Sequence, residues 1–136
     1  MPPSIYLAKL LGPALAAAGF GMLLNPSAYA AMVSDMLDDP ALIYVASVIG
    51  LIAGTALVLA HNVWVGDWRI IITLVGWISI LDSLTWIVAM RAMQTFWAPL
   101  LDFPAFGFVG GIIVLLLGAV LCYFGYRASK PIGREK

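Results

Sequence analysis

Four uninterrupted apolar stretches, residues 5–24, 41–60, 70–90 and 105–126, constrain the fold more than any other feature of the chain. Each holds about twenty residues, which at about 1.5 Å per residue of helix matches the ~30 Å hydrocarbon core of a bilayer. Lipid offers a backbone no hydrogen bonds, so a spanning segment is either a helix or part of a closed barrel. Barrel strands alternate polar and apolar residues over about ten positions, and these stretches do not. The expectation is an all-α, polytopic membrane protein with four transmembrane helices in a single membrane domain, residues 1–136. The composition agrees: 63% of the residues are hydrophobic and 10% are charged, which excludes an ordinary soluble domain.

Charge narrows the function classes. Seven Lys and Arg balance seven Asp and Glu, so no basic field exists to hold nucleic acid. Six of the basic residues, Lys9, Arg69, Arg127, Lys130, Arg134 and Lys136, fall on one side of the four crossings, and only Arg91 falls on the other. The positive-inside rule then places both termini and the basic tail, 127–136, in the cytoplasm. Ala28-Tyr29-Ala30 has the form of a signal-peptide cleavage site. The run before it is longer than a usual signal core, and it is read as the first membrane helix. One Cys (Cys122) and one His (His61) exclude a disulfide or a multi-ligand metal site within one chain, so no metal and no cofactor are expected.

An internal repeat organises the chain. At an offset of 64 residues, Leu37-Asp38-Asp39-Pro40-Ala41 aligns with Leu101-Asp102-Phe103-Pro104-Ala105, and Val45, Ile49, Leu51, Gly54 and Leu57 meet identical residues downstream. Repeat 1 covers about 5–60 and repeat 2 about 69–126. Within each, the outer connection carries helical periodicity: Tyr29, Met32, Val33, Met36 and Leu37 in the first, Met93, Phe96, Trp97, Leu100 and Leu101 in the second. Each reads as a short amphipathic helix in the outer interface. The proline after each box suits the first turn of the next span, and the preceding Asp complements the positive helix end. Two helical hairpins of the same orientation form a parallel repeat about an axis along the membrane normal, an arrangement that in transporters places a site between the halves. A duplicated hairpin that packs well gives the same pattern. Gly107, Gly111, Gly118 and Gly125 in the last span and Gly50 and Gly54 in the second form small-residue stripes that bring helices close, within the bundle or against a partner.

Three groups of residues carry candidate chemistry. Asp82 stands mid-span in the third stretch, with Ser79, Ser83 and Thr85 around it and Ser47 at matching depth. It is either a proton or cation site or a protonated acid that bonds Ser47 or a backbone carbonyl and holds helices together. The second group is the inner connection: His61, Asn62, Trp64, Asp67, Trp68 and Arg69. Trp64 and Trp68 fit an interfacial aromatic belt, Asp67 can cap the third helix and Asn62 can end the second. A sharper alternative is a lipid-headgroup or docking site in which His61 and Arg69 clamp a phosphate. The run His-Asn-x-Trp-x-x-x-Trp, continuing to Thr73 and Gly76-Trp77, resembles one found in small bacterial four-helix integral membrane proteins. That resemblance implies a bacterial inner membrane and carries no activity. The third group, Asp35, Asp38, Asp39 and Asp102, is accounted for by helix ends and topology.

Two function classes follow. With no nucleotide motif and no catalytic dyad, the chain is read as no enzyme but a noncatalytic accessory, assembly or stabilising subunit of a larger bacterial membrane complex. The alternative is a small homo-oligomeric proton- or cation-coupled transporter or channel that uses Asp82. In size and helix count it resembles the small multidrug resistance transporters, whose essential acid lies in the first span, where this chain has none. The expected partners are the lipid bilayer and either a membrane protein or further copies of the chain.

Overall fold

The computed structural model describes residues 2–128. Six α-helices follow one another: α1 (Pro3–Leu24), α2 (Pro26–Asp38), α3 (Pro40–Ala60), α4 (Arg69–Val88), α5 (Met90–Leu101) and α6 (Phe106–Arg127). No strand occurs among the described residues. Helices α1, α3, α4 and α6 are long and apolar enough to cross a membrane, and their ends lie within two residues of the apolar runs read from the sequence. Of the expected basic tail, Lys130, Arg134 and Lys136 lie outside the described residues.

Prolines set several helix starts. Pro3, Pro26 and Pro40 each stand in a first turn, where a missing N–H costs no bond. Before α3, Asp39 Oδ1 accepts from Ala41 N at 3.0 Å and Leu42 N at 3.1 Å, a true N-cap. The second box departs from the expected pattern. The position matching Asp39 is Phe103, whose side chain has no acceptor to offer; Phe106 N donates to the Phe103 backbone O at 2.9 Å, and α6 begins two residues after Pro104. Asp102 consequently ends α5 instead of capping α6.

Packing pairs the first span with the last and the two middle spans with each other. α1 runs antiparallel along α6, and α3 along α4, while the seam between α1 and α4 is thin. Glycine permits both close pairs. A Cβ on Gly118 would overlap the backbone of Leu15 and Ala16, and one on Gly12 would come within 2.8 Å of Cys122 N. Across α3 and α4, Gly54 faces the Gly76 carbonyl, and Gly50 faces the Ser83 hydroxyl. Gly107, Gly111 and Gly125 seat α6 against Pro26, Leu23 and Ala8. These stripes are thus occupied within the chain.

Two small cores hold the pairs together. Ala8, Ile72 and Leu121 are buried on the side of the chain termini, hereafter the terminal face. Leu37, Ile43 and Trp86 are buried toward the far face, beneath α2 and α5. Gln94 Nε2 donates to Leu37 O at 2.6 Å and ties α5 to α2. The spans stay largely uncovered, with at most 28% of the residues in any of them buried.

Candidate functional site

The α3/α4 pair builds a polar cavity inside an apolar stretch. Asp82, Ser79 and Ser83 of α4 and Ser47 and Gly50 of α3 line a space of about 170 Å³, with Met36 of α2 and Trp86 at its far end. Helical spacing explains the set, because residues 79, 82, 83 and 86 share one face of α4. Gly50 supplies the room: its missing side chain lets the Ser83 hydroxyl approach α3, where a Cβ would stand 2.6 Å away. Ser47 Oγ donates to Ile43 O at 2.7 Å, and Ser79 Oγ donates to Gly50 O at 3.0 Å. Ser47 and Ser83 are buried, whereas Asp82 is exposed on the flank of the pair and the Trp86 side chain offers it a hydrogen bond. Thr85 does not join them: its hydroxyl turns back to Leu81 O at 2.7 Å and leaves the cavity wall.

A second polar cluster lies at the terminal face. His61 closes α3, donating its backbone N–H to Leu57 O at 2.8 Å, so α3 ends at Ala60 and the cap is His61, not Asn62. The ring turns inward and is only 3% exposed. Its Nδ1 lies 3.3 Å from Thr73 Oγ1 on α4, and its Nε2 lies 2.9 Å from Ser4 Oγ on α1. Burial pushes the imidazole below its ordinary pKa of 6.5. With both nitrogens engaged and the ring buried, His61 has no free arm for an anion.

The rest of the inner connection faces outward. Trp64 is exposed, and its indole N–H donates to Asn62 Oδ1 at 2.8 Å. Trp68 instead lies flat on Phe124, with ring centroids 5.7 Å apart. Asp67 accepts from Arg69 N at 2.8 Å and pairs with the Arg69 guanidinium at 2.7 Å. That hydrogen bonding holds the Asp67 carboxyl below its ordinary range. The phosphate clamp expected of His61 and Arg69 is therefore not assembled: one arm is buried, and the other is held by a neighbouring carboxylate. Lys9 stands over the Tyr126 ring at 5.3 Å, near the same face.

On the far face Asp38 and Asp102 border a cavity of about 460 Å³ between α2 and α5, together with Ser34 and Gln94. Among the described residues, no three His, Cys, Asp or Glu side chains are grouped to hold a metal.

Sequence reasoning missed Ser4, and it met Met36 only in a helical periodicity and Thr73 only as part of a motif. Ser4 lies 57 residues from its partner His61, and no local pattern reveals such a bond. Its signal is a lone hydroxyl at the mouth of an apolar helix. Comparison with family models, with curated proteins and with solved structures finds no match to this chain.

Proposed function

We propose that this chain is a noncatalytic accessory or assembly subunit of a larger membrane complex. One observation carries the reading: its four long apolar helices form two close pairs that share only a thin seam, so most of each span remains available to other helices. A self-sufficient bundle would bury the inner face of every helix. The exposed faces also include large side chains, among them Ile49, Ile52, Ile78 and Leu116. Lipid can cover these individually, and a partner helix can cover them together.

The proposal includes a duplicated architecture. Positions 64 residues apart occupy like places: Gly12 faces Cys122 as Gly76 faces Val58, and Gly118 faces Leu15 and Ala16 as Gly54 faces Ser79 and Ile80. Each repeat thereby lends one helix to each pair, about an axis along the membrane normal. α2 and α5 lie in the membrane interface with their apolar faces inward. The terminal face is cytoplasmic by the positive-inside rule, in the inner membrane of a bacterium. A thiol placed by Asp35→Cys in a Cys122→Ser background is then labelled from outside intact cells, and labelling only after lysis reverses the orientation.

Native mass spectrometry of the chain extracted in mild detergent from its own membranes tests the assignment. A discrete heteromer is expected. The Asp82 cavity favours one second reading, a homo-oligomeric proton- or cation-coupled transporter or channel. A homo-oligomer without other proteins, with coupled flux lost in Asp82→Asn, would replace the subunit reading with that one.

A further inference from the structure

We propose that the Asp82 cavity is the socket for a single Lys or Arg side chain carried mid-span by a helix of a partner membrane protein. The inference rests on the subunit reading and specifies the chemistry of its partner.

Ser83 and the Trp86 indole bring donors to the socket, but Ser47, Ser79 and Asp82 face it as acceptors. The hydroxyl protons of Ser47 and Ser79 are both committed to backbone carbonyls of α3, Ile43 O and Gly50 O. Their oxygens therefore turn lone pairs, not protons, toward the space they line. Asp82 adds a carboxyl group to the same wall. Such a wall accepts several hydrogen bonds and returns few. An ammonium group with three donors, or a guanidinium with five, complements it in charge and in hydrogen bonding.

The chain itself leaves the socket unfilled. Asp82 makes no ion pair among the described residues. Lys9 and Arg69 belong to the terminal end of α1 and α4, about 20 Å along the helix from Asp82 in the case of Arg69, and Arg69 is paired with Asp67. Arg91 follows the far end of α4 and is exposed there. Asp82 itself is exposed on the flank of α4, a helix whose Ile78 and Leu81 are each about three-fifths uncovered. A carboxyl group in that place is costly against hydrocarbon and is normally covered by protein. A second copy is the poorer cover, because a twofold contact over this face brings two carboxyl groups together in an apolar surrounding. A basic residue in the middle of another span has the same need for a partner, and the two groups relieve one another.

The test reconstitutes the full chain in phosphatidylcholine vesicles with a defined probe. The probe is a single-span polyleucine helix carrying one Lys about six residues from one end of its apolar run, the depth of Asp82 below the far end of α4. Energy transfer between labelled protein and labelled probe reads association. The Lys helix is expected to bind wild type about tenfold more tightly than an all-Leu helix, with the preference kept by Asp82→Glu and lost in Asp82→Asn. Acetylating the probe's Lys removes the preference without touching the protein, so the test survives a variant that fails to reconstitute. Equal binding of the Lys and Leu helices, or a Lys preference that persists in Asp82→Asn, overturns the inference. Protein-to-protein transfer that disappears in Asp82→Asn assigns the cavity to a second copy and overturns it as well. A homo-oligomer in native membranes would sink the subunit reading alone, since the probe experiment reads the cavity independently.

Discussion

At the scale of single residues, His61 joins three helices through an assignable hydrogen-bond pattern. Thr73 has one hydroxyl proton and gives it to Val63 O at 3.0 Å, so its oxygen accepts from Val63 N at 3.0 Å and from the ring at 3.3 Å. The proton therefore sits on Nδ1, and the bare Nε2 accepts from the Ser4 hydroxyl. Burial disfavours the charged ring, and the nearby Arg69 acts in the same direction. Because the folded pKa lies below the ordinary 6.5, the unfolded chain binds this proton more readily. The stabilising contribution is complete above that value and is lost as pH falls through it toward the folded pKa. A thermal melt in detergent is expected to hold steady above about pH 7 and to weaken below, by at most about 1.4 kcal/mol per pH unit for one proton. His61→Gln flattens this dependence. An unchanged slope in that variant would remove His61 as its source. Asp67 does not confuse the result: its pKa is lowered from 3.8, so its contribution is lost only in more acidic solution.

At the scale of elements, the two Leu-Asp-x-Pro-Ala boxes differ at one residue. Asp39 caps α3 through two backbone N–H groups, whereas Phe103 cannot cap α6, and Asp102 stands at the end of α5. Asp39→Ala is expected to cost about 1 kcal/mol of stability, and Asp102→Ala less than about 0.5 kcal/mol, both read from chemical denaturation in detergent. Equal losses would deny Asp39 its capping role. The sequence carried the spans well because apolar length and flanking prolines are local properties, visible at Pro3, Pro26 and Pro40. It carried part of the Asp82 cavity, since residues 79, 82 and 83 share a helix face by spacing alone, and depth alone brought in Ser47. Thr85 is also three residues from Asp82 yet lies off the cavity, because the helical turn carries it to the other side of Asp82 from residues 79, 83 and 86. His61 was legible as a helix end, but not as a bridge to Ser4. That bond depends on how α1 is placed against α3, and apolar helix surfaces do not encode such placement in any short pattern. The glycine stripes marked close approach without naming which helix approaches.

At the scale of the whole molecule, every close helix pair crosses the midpoint of the chain. α1 and α3 belong to the first half, α4 and α6 to the second, yet α1 packs on α6 and α3 on α4. Neither half contains a close pair of its own, and the glycines that permit contact face residues of the other half, as Gly118 faces Ala16 and Gly76 faces Val58. Gly66 lies in the exposed connection between the halves, with open space around it. Cutting the chain there removes one covalent link and no packed contact, so the cost is mainly the entropy of bringing two chains together, much reduced when both are confined to one membrane. Residues 1–66 and 67–136 expressed together are expected to co-purify as a one-to-one complex that elutes with the intact protein. Each half expressed alone lacks partners for its glycine faces and is expected to aggregate or be degraded. A first half that stays monodisperse without the second would show that α1 and α3 can satisfy each other, and the pairing across the midpoint would lose its standing as the organising contact of the fold.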